Sequence, residues 1–192
     1  LNNITVLEND KTHNAQTNIK LVEKLLNKKF DEEPAMQILL SDSDKLFADS
    51  FLKEKNISEK DFVVGFHPGC ATLKNHIKRR WEPEKFAELG KKLINEKNAK
   101  VFLFGGLEED ELKSLIISKI NSDNSYAIKT EKFIQSIAIM KRCNVFVTND
   151  SALMHVASAL GLKVIAIIGP TNPHYIHPWK TEHKIVSLNL DC

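Results

Sequence analysis

Val145-Phe146-Val147-Thr148-Asn149-Asp150-Ser151-Ala152-Leu153-Met154-His155-Val156-Ala157-Ser158-Ala159-Leu160-Gly161-Leu162-Lys163-Val164-Ile165-Ala166-Ile167-Ile168 is the stretch from which the fold can be read. Residues 145–147 form a short, continuous apolar run rich in β-branched side chains, which predicts a buried strand ending at about Thr148. Leu153, Val156, Ala157 and Leu160 then recur at helical spacing and predict a helix over 152–160 with one buried face. A second apolar run at 164–168 predicts the next strand. Two buried strands joined by a helix are a parallel βαβ unit.

The same alternation reaches upstream. Apolar runs at 62–66, 101–104 and 126–128 predict strands. Helices are predicted over 83–98, with Phe86, Leu89, Gly90 and Leu93 on one face, and over 108–121. A further helix carries Phe133, Ile137 and Met140. Continuous apolar strands separated by helices predict an α/β fold, a doubly wound parallel sheet covered on both faces. Such sheets bind ligands beyond the carboxyl ends of their strands, near a topological switch point. The loops after residues 66, 104, 128, 148 and 168 are therefore the ones to read for chemistry.

The first sixty residues carry weaker signals. Strands are expected at 4–7 and 36–40, and a helix over 17–26. A second helix is capped by Ser41-Asp42-Ser43-Asp44, with Leu46, Phe47 and Phe51 as its buried stripe. Residues 31–34 read as a surface loop, and 185–187 as a last strand. The expected division is a lead-in segment at 1–60 and a ligand-binding domain at 61–192.

Composition excludes several classes. The chain has 192 residues, 42% of them hydrophobic, which is enough for a real core. Lys plus Arg number 27 against 25 Asp plus Glu, so no single-sign field marks a nucleic-acid binder. No apolar run approaches the roughly 18 residues of a membrane span. Cys70, Cys143 and Cys192 are far apart and odd in number, neither a disulfide framework nor a zinc pattern, and suit a reducing, cytoplasmic setting. No metal site is expected, since His174 and His177 have no convincing partner. The opening on Leu1, without a secretory signal, and the stop just after a strand-like run suggest a piece of a longer protein.

Four loops carry candidate chemistry. His67-Pro68-Gly69-Cys70-Ala71 makes a tight turn that lets backbone approach a ligand, and Lys78-Arg79-Arg80-Trp81 suits a phosphate or is simply a solvated basic loop. Gly105-Gly106 leaves room for a flat group. The acids after it, Glu108 to Glu111, either meet a ribose or merely favour a helix's first turn. Asp150, Ser151, Ala152 and Leu153 stand at a helix entry. There the free N–H groups favour an anion, unless Asp150 or Ser151 caps the helix itself. His155 follows one turn in and is either a ligand contact or a satisfied core histidine. Gly169-Pro170-Thr171 is a stiff polar loop that would close over a ligand. The motifs G-x-G-x-x-G after a strand, G-x-x-x-x-G-K-[ST] and G-x-S-x-G are all missing.

In combination, HPGC at 67–70, RRWEPEKFAEL at 79–89, LFGG at 103–106, TNDSALMHVASALG at 148–161 and GPTNP at 169–173 resemble the bacterial heptosyltransferases, family-nine glycosyltransferases. The likeness covers 62–178 strongly and 11–60 loosely. It implies two Rossmann-like domains facing across a cleft, the GT-B arrangement, of which this chain would be the second. That domain would bind a nucleotide-sugar donor, ADP-L-glycero-D-manno-heptose. The acceptor would be the inner core of lipopolysaccharide on lipid A, reached at the inner face of the cytoplasmic membrane, with no cofactor needed.

Residue by residue, the resemblance implies that Arg79 stands where the family has a phosphate-contacting Lys, with Arg80 beside it. Asp150, Ser151, Ala152, Leu153 and His155 match the diphosphate-binding entry, with Ala152 in place of the usual Gly. Glu109 or Glu111 would meet the ribose beside Gly105 and Gly106. His67, Pro68, Gly69, Gly169, Pro170 and Thr171 would lie near the donor. The family's general base belongs to its first domain, which no segment here matches, so this half alone is expected to be inactive. Two other readings use the same site: a GT-B epimerase-like enzyme, which needs no acceptor, and a non-catalytic nucleotide-binding module.

Overall fold

The computed structural model describes residues 3–71, 77 and 79–188, so Lys78 and Cys192 lie outside the described residues. Strands β1 (Val63–His67), β2 (Lys100–Leu103), β3 (Ser125–Ala127), β4 (Val145–Asn149), β5 (Lys163–Ile167) and β6 (His183–Val186) form one sheet in the order β3-β2-β1-β4-β5-β6. Every neighbouring pair is parallel. The chain winds outward from β1 to β3, returns to β4 beside β1, and winds outward the other way. The switch point therefore lies between β1 and β4, where His67 pairs with Thr148.

Helices cover both faces because side chains along each strand alternate between them. Val64, Phe66, Val101, Leu103 and Val147 pack with Phe86 and Ala87 of α3 (Pro83–Lys97) and Ile116 and Ile120 of α4 (Asp110–Ile120). Val63, Phe102, Phe104, Phe146, Val164 and Ala166 pack the other way. They meet α2 (Asp42–Glu54), α5 (Phe133–Met140) and α6 (Ala152–Ala159) through Leu52, Ile137, Met140, Met154 and Ala157. Phe66, Phe86, Phe102, Phe104 and Phe146 are fully buried. Burying each such ring contributes about 1.5–3 kcal/mol.

Local chemistry sets the helix ends. Pro83 begins α3, where a missing N–H costs nothing, and Asn98 ends it in the left-handed region at φ 49°. Ser41 and Asp44 form a capping box on α2. In α1 (Asn14–Leu26), His13 takes the capping role, its Nδ1 accepting from the Ala15 N–H at 3.0 Å.

The amino-terminal segment departs from the sequence expectation. Residues 4–7 and 36–40 form neither strand nor helix. Ile38 and Leu40 pack against the core while Leu39 is exposed, so the period of two is present. Neither segment joins the hydrogen-bonded ladder that makes a strand. Leu46 of α2 and Phe133 of α5 are also exposed, and Ala48 and Leu52 take the innermost places on α2. The segment is tied to the connection between β5 and β6, which contains the short α7 (Pro173–Ile176). His13 Nε2 donates to the His177 carbonyl at 2.8 Å and stacks on Trp179, whose indole N–H donates to Pro34 O.

Candidate functional site

A cleft of about 1080 Å³ opens at the carboxyl ends of β1 to β4, beside the switch point. His67, Arg79, Gly105, Glu109, Ile128, Asp150, Ser151 and His155 are among its lining residues. They come from the ends of four different strands and the segments that follow them, and the parallel sheet is what gathers them.

The floor is a row of hydrogen-bonded side chains. Thr148 Oγ1 lies 3.1 Å from Ser151 Oγ, which lies 2.8 Å from His67 Nδ1. On the other side of the ring, His67 Nε2 is 3.2 Å from Glu109 Oε2. The same carboxylate oxygen accepts the Gly106 N–H at 3.0 Å, and Arg80 approaches Oε1 at 3.7 Å. Burial alone would raise the Glu109 carboxyl. The His67 hydrogen bond, the Gly106 N–H and the Arg80 cation outweigh it and hold the group below the ordinary carboxylate range. Glycine is required at 69, because a Cβ there would overlap the Glu109 carboxylate. At Gly105 the φ of 152° and the nearness of Glu109 exclude a side chain for two separate reasons.

The wall beside this floor is built on β4. Asn149 is fully buried. Its amide donates to Pro68 O at 2.7 Å, and its carbonyl accepts the Trp81 N–H at 3.0 Å. One side chain thus fixes the turn after β1 and the start of the segment leading to α3. Next to it, Asp150 Oδ2 accepts from Arg79 Nη1 at 3.0 Å and from the Thr171 hydroxyl at 2.8 Å. Ser151 is the N-cap residue of α6, yet no side chain caps that helix. Its hydroxyl goes to His67 and Thr148, and the Asp150 carboxylate goes to Arg79 and Thr171. Among the described residues the N–H groups of Ala152 and Leu153, which line the cleft, thus meet no side-chain cap, and this is the local chemistry of an anion site.

The family model for glycosyltransferase family 9 (heptosyltransferase) matches residues 1–192. The chain belongs to this family. It is 32% identical over 146 residues to lipopolysaccharide heptosyltransferase 2 of Salmonella typhimurium, covering 70% of this chain and 41% of the relative. In structure it is similar to E. coli ADP-heptose LPS heptosyltransferase II, with a TM-score of 0.78, 26% identity, and coverage of 97% of this chain and 57% of that one. It is likewise similar to a family 9 glycosyl transferase of Veillonella parvula, with a TM-score of 0.84, 25% identity, and coverage of 95% and 51%. The chain spans less than half the length of the curated relatives it matches.

On this family-nine frame the residues singled out in the sequence fall into distinct places. His67, Arg79, Gly105, Gly106, Glu109, Asp150, Ser151, Ala152, Leu153 and His155 line the cleft. Burial lowers the His155 imidazole, partly offset by the Asp150 charge. Pro68 and Gly69 are buried behind it and hold Asn149. Arg80 points inward to Cys70 O and Glu109, leaving its Nε without a partner. Thr171 reaches Asp150, whereas Gly169, Pro170 and Glu111 are exposed outside the cleft lining. Glu108 and Asp110 are the acids flanking Glu109 that do line it.

Lys113 escaped sequence reasoning altogether, since it reads as an ordinary surface lysine of an acidic helix. It is 1% exposed. Its ammonium donates to Gly105 O at 3.1 Å and Ile128 O at 3.0 Å, and pairs with Asp110 at 2.8 Å. It thereby joins the carboxyl ends of β2 and β3 under the cleft. Among the described residues no group of three His, Cys, Asp or Glu is arranged to hold a metal ion. None of the helices there is long and apolar enough to cross a membrane.

Proposed function

We propose that this chain is the donor-binding half of a heptosyltransferase that moves a heptose from ADP-L-glycero-D-manno-heptose to the inner core of lipopolysaccharide. The observation that carries the reading is the uncapped entry of α6, opening on the switch-point cleft with Arg79 beside it. A donor's diphosphate would accept from the N–H groups of Ala152 and Leu153 and from Arg79, which would exchange Asp150 for the ligand. A helix entry is worth about 0.3–1 kcal/mol to an anion, and each charge-assisted hydrogen bond about 1.5–3 kcal/mol. Arg in place of the family's Lys suits two phosphate oxygens, because guanidinium is a planar fork. Glu109, the buried acid beside Gly105 and Gly106, would be the one of Glu109 and Glu111 to meet the ribose, since Glu111 is exposed outside the cleft lining.

In the reaction, an acceptor hydroxyl attacks the anomeric carbon as the bond to the diphosphate breaks, inverting that centre. The base that takes the hydroxyl's proton belongs to the other half of the enzyme. The residues of this chain stabilise the negative charge growing on the departing diphosphate. The donor is itself the substrate, so the reading requires no cofactor. The acceptor's lipid would put the reaction at the inner face of the cytoplasmic membrane, and Cys70 and Cys143, which form no disulfide, are in keeping with a reducing compartment.

Calorimetric titration with ADP, ADP-heptose, UDP and NAD tests the donor site, with Arg79→Ala/Asp150→Ala as control. Saturable binding of ADP or ADP-heptose, lost in the double variant, is expected. Preference for UDP would move the donor, and no binding of any of the four would overturn the reading.

A further inference from the structure

Hydrogen positions in the row Thr148–Ser151–His67–Glu109 can be counted. The Glu109 carboxylate is held ionised by the donors around it, so it can only accept, and His67 Nε2 must carry a hydrogen toward it. Thr148 gives its hydroxyl hydrogen to Asn149 O at 2.8 Å, so toward Ser151 it too can only accept. Ser151 has one hydrogen to place. Either it points at an unprotonated Nδ1 of His67, or Nδ1 carries its own hydrogen, donates to Ser151 Oγ, and leaves the Ser151 hydrogen for another acceptor.

A diphosphate at the α6 entry is an acceptor alone. Ser151 can bond it only by turning its hydrogen into the cleft. A neutral His67 would then set a lone pair against the Ser151 oxygen 2.8 Å away, on a ring that is itself buried. Such a contact is costly where water cannot relieve it.

We propose that His67 takes up a proton when a diphosphate binds at the α6 entry, so that Ser151 is freed to donate to the ligand. This rests on the donor-site reading above. The proton comes from solvent and no heavy-atom bond changes. Imidazole becomes imidazolium, flanked by the Glu109 carboxylate and one hydroxyl away from the arriving anion. Among the described residues the other charged or titratable groups of the cleft are Cys70, Arg79 and Arg80 after β1, Glu108, Asp110 and Lys113 after β2, Lys129 and Glu131 after β3, and Asp150 and His155 at α6. Arg79 with Asp150, and Lys113 and Lys129 with Asp110, are already paired. Among the described residues His67 is the group within hydrogen-bonding reach of both a carboxylate and the Ser151 hydroxyl.

The test is titration of the whole chain with ADP at about pH 8, where an ordinary imidazole is neutral, in HEPES and in Tris, which differ in ionisation enthalpy. The dependence of the heat on buffer reports protons taken up. Uptake approaching about one proton per ADP is expected in the native chain, and none in His67→Asn. Ser151→Ala keeps the imidazole but removes the hydroxyl relay, and is expected to bind ADP without uptake. Buffer-independent heats in the native chain, or undiminished uptake in Ser151→Ala, would overturn the proposal while leaving the donor site standing. Absence of any saturable heat would overturn the donor-site reading and this proposal with it.

Discussion

Ser151 stands at the entry of α6 but directs its hydroxyl to Nδ1 of His67, 2.8 Å away, and so leaves the helix uncapped. A residue type that normally completes a helix here keeps its first turn open. Placing an acceptor on that turn should therefore close the site. In Ser151→Asp the new carboxylate can accept from the α6 N–H groups and repels an incoming diphosphate. ADP affinity is expected to fall about 100-fold or more, roughly 3 kcal/mol. The urea midpoint should hold, since a helix cap contributes about 1 kcal/mol of its own. Calorimetry and urea unfolding check the two halves, and ADP binding at native strength would show that the anion does not sit on α6.

Arg79 is the more exposed of the two arginines at the site. Its side chain is 28% exposed and its partner Asp150 10%, so their pairing is partly screened by solvent. A diphosphate, carrying more charge than one carboxylate, should take the guanidinium over. Arg79→Met is expected to weaken ADP binding about 10- to 100-fold, the loss of one or two charge-assisted hydrogen bonds. The salt dependence of binding should also become shallower. An unchanged dissociation constant would show that Arg79 does not contact the diphosphate.

Lys113 makes a stability prediction. Methionine matches its length and apolar stem but cannot donate, so Lys113→Met strands the carbonyls of Gly105 and Ile128 in a buried place. Asp110 keeps Lys129 as a partner, which limits the loss on that side. A cost of about 2–4 kcal/mol is expected from the two unsatisfied acceptors. Urea unfolding would show it as a lowered midpoint, and a change within about 0.5 kcal/mol would mean that water reaches those carbonyls.

What the sequence reveals follows from the range of the interactions involved. The central strands β1, β2 and β4 are legible because each is buried along nearly its whole length and is written largely as an apolar run. The α6 entry is legible because strand and helix meet within a few residues. Residues 36–40 show the limit of the method: Ile38 and Leu40 alternate with Leu39 as a strand would, but the absence of a pairing partner cannot be read locally. The His67–Glu109 contact spans 42 residues, and the burial of Lys113 depends on where α4 crosses the ends of β2 and β3. Both are products of the assembled sheet. The exposure of Leu46 and Phe133 has the same origin, since an apolar stripe is buried only where another element reaches it.

The junction at His13 predicts how stability changes with pH. Its Nδ1 must be unprotonated to accept the Ala15 N–H, while Nε2–H donates to His177 O. Burial lowers the His13 imidazole below its ordinary value of 6.5. The hydrogen bond to His177 O opposes this, and the neighbouring His177 and His155 add to it. Burial likewise lowers His177 and His155. In the unfolded chain these groups protonate as pH falls through about 6.5, while the folded chain resists until lower pH. Within that window the unfolded state binds more protons, so stability rises with pH. The expected result is a urea midpoint level above about pH 6.5 that declines as pH falls below it. His13→Asn keeps a side chain able to cap α1 but removes one of the three imidazoles. It should flatten the decline, leaving the part due to His155 and His177. An equal decline in this variant would exclude His13 as a source of the acid sensitivity.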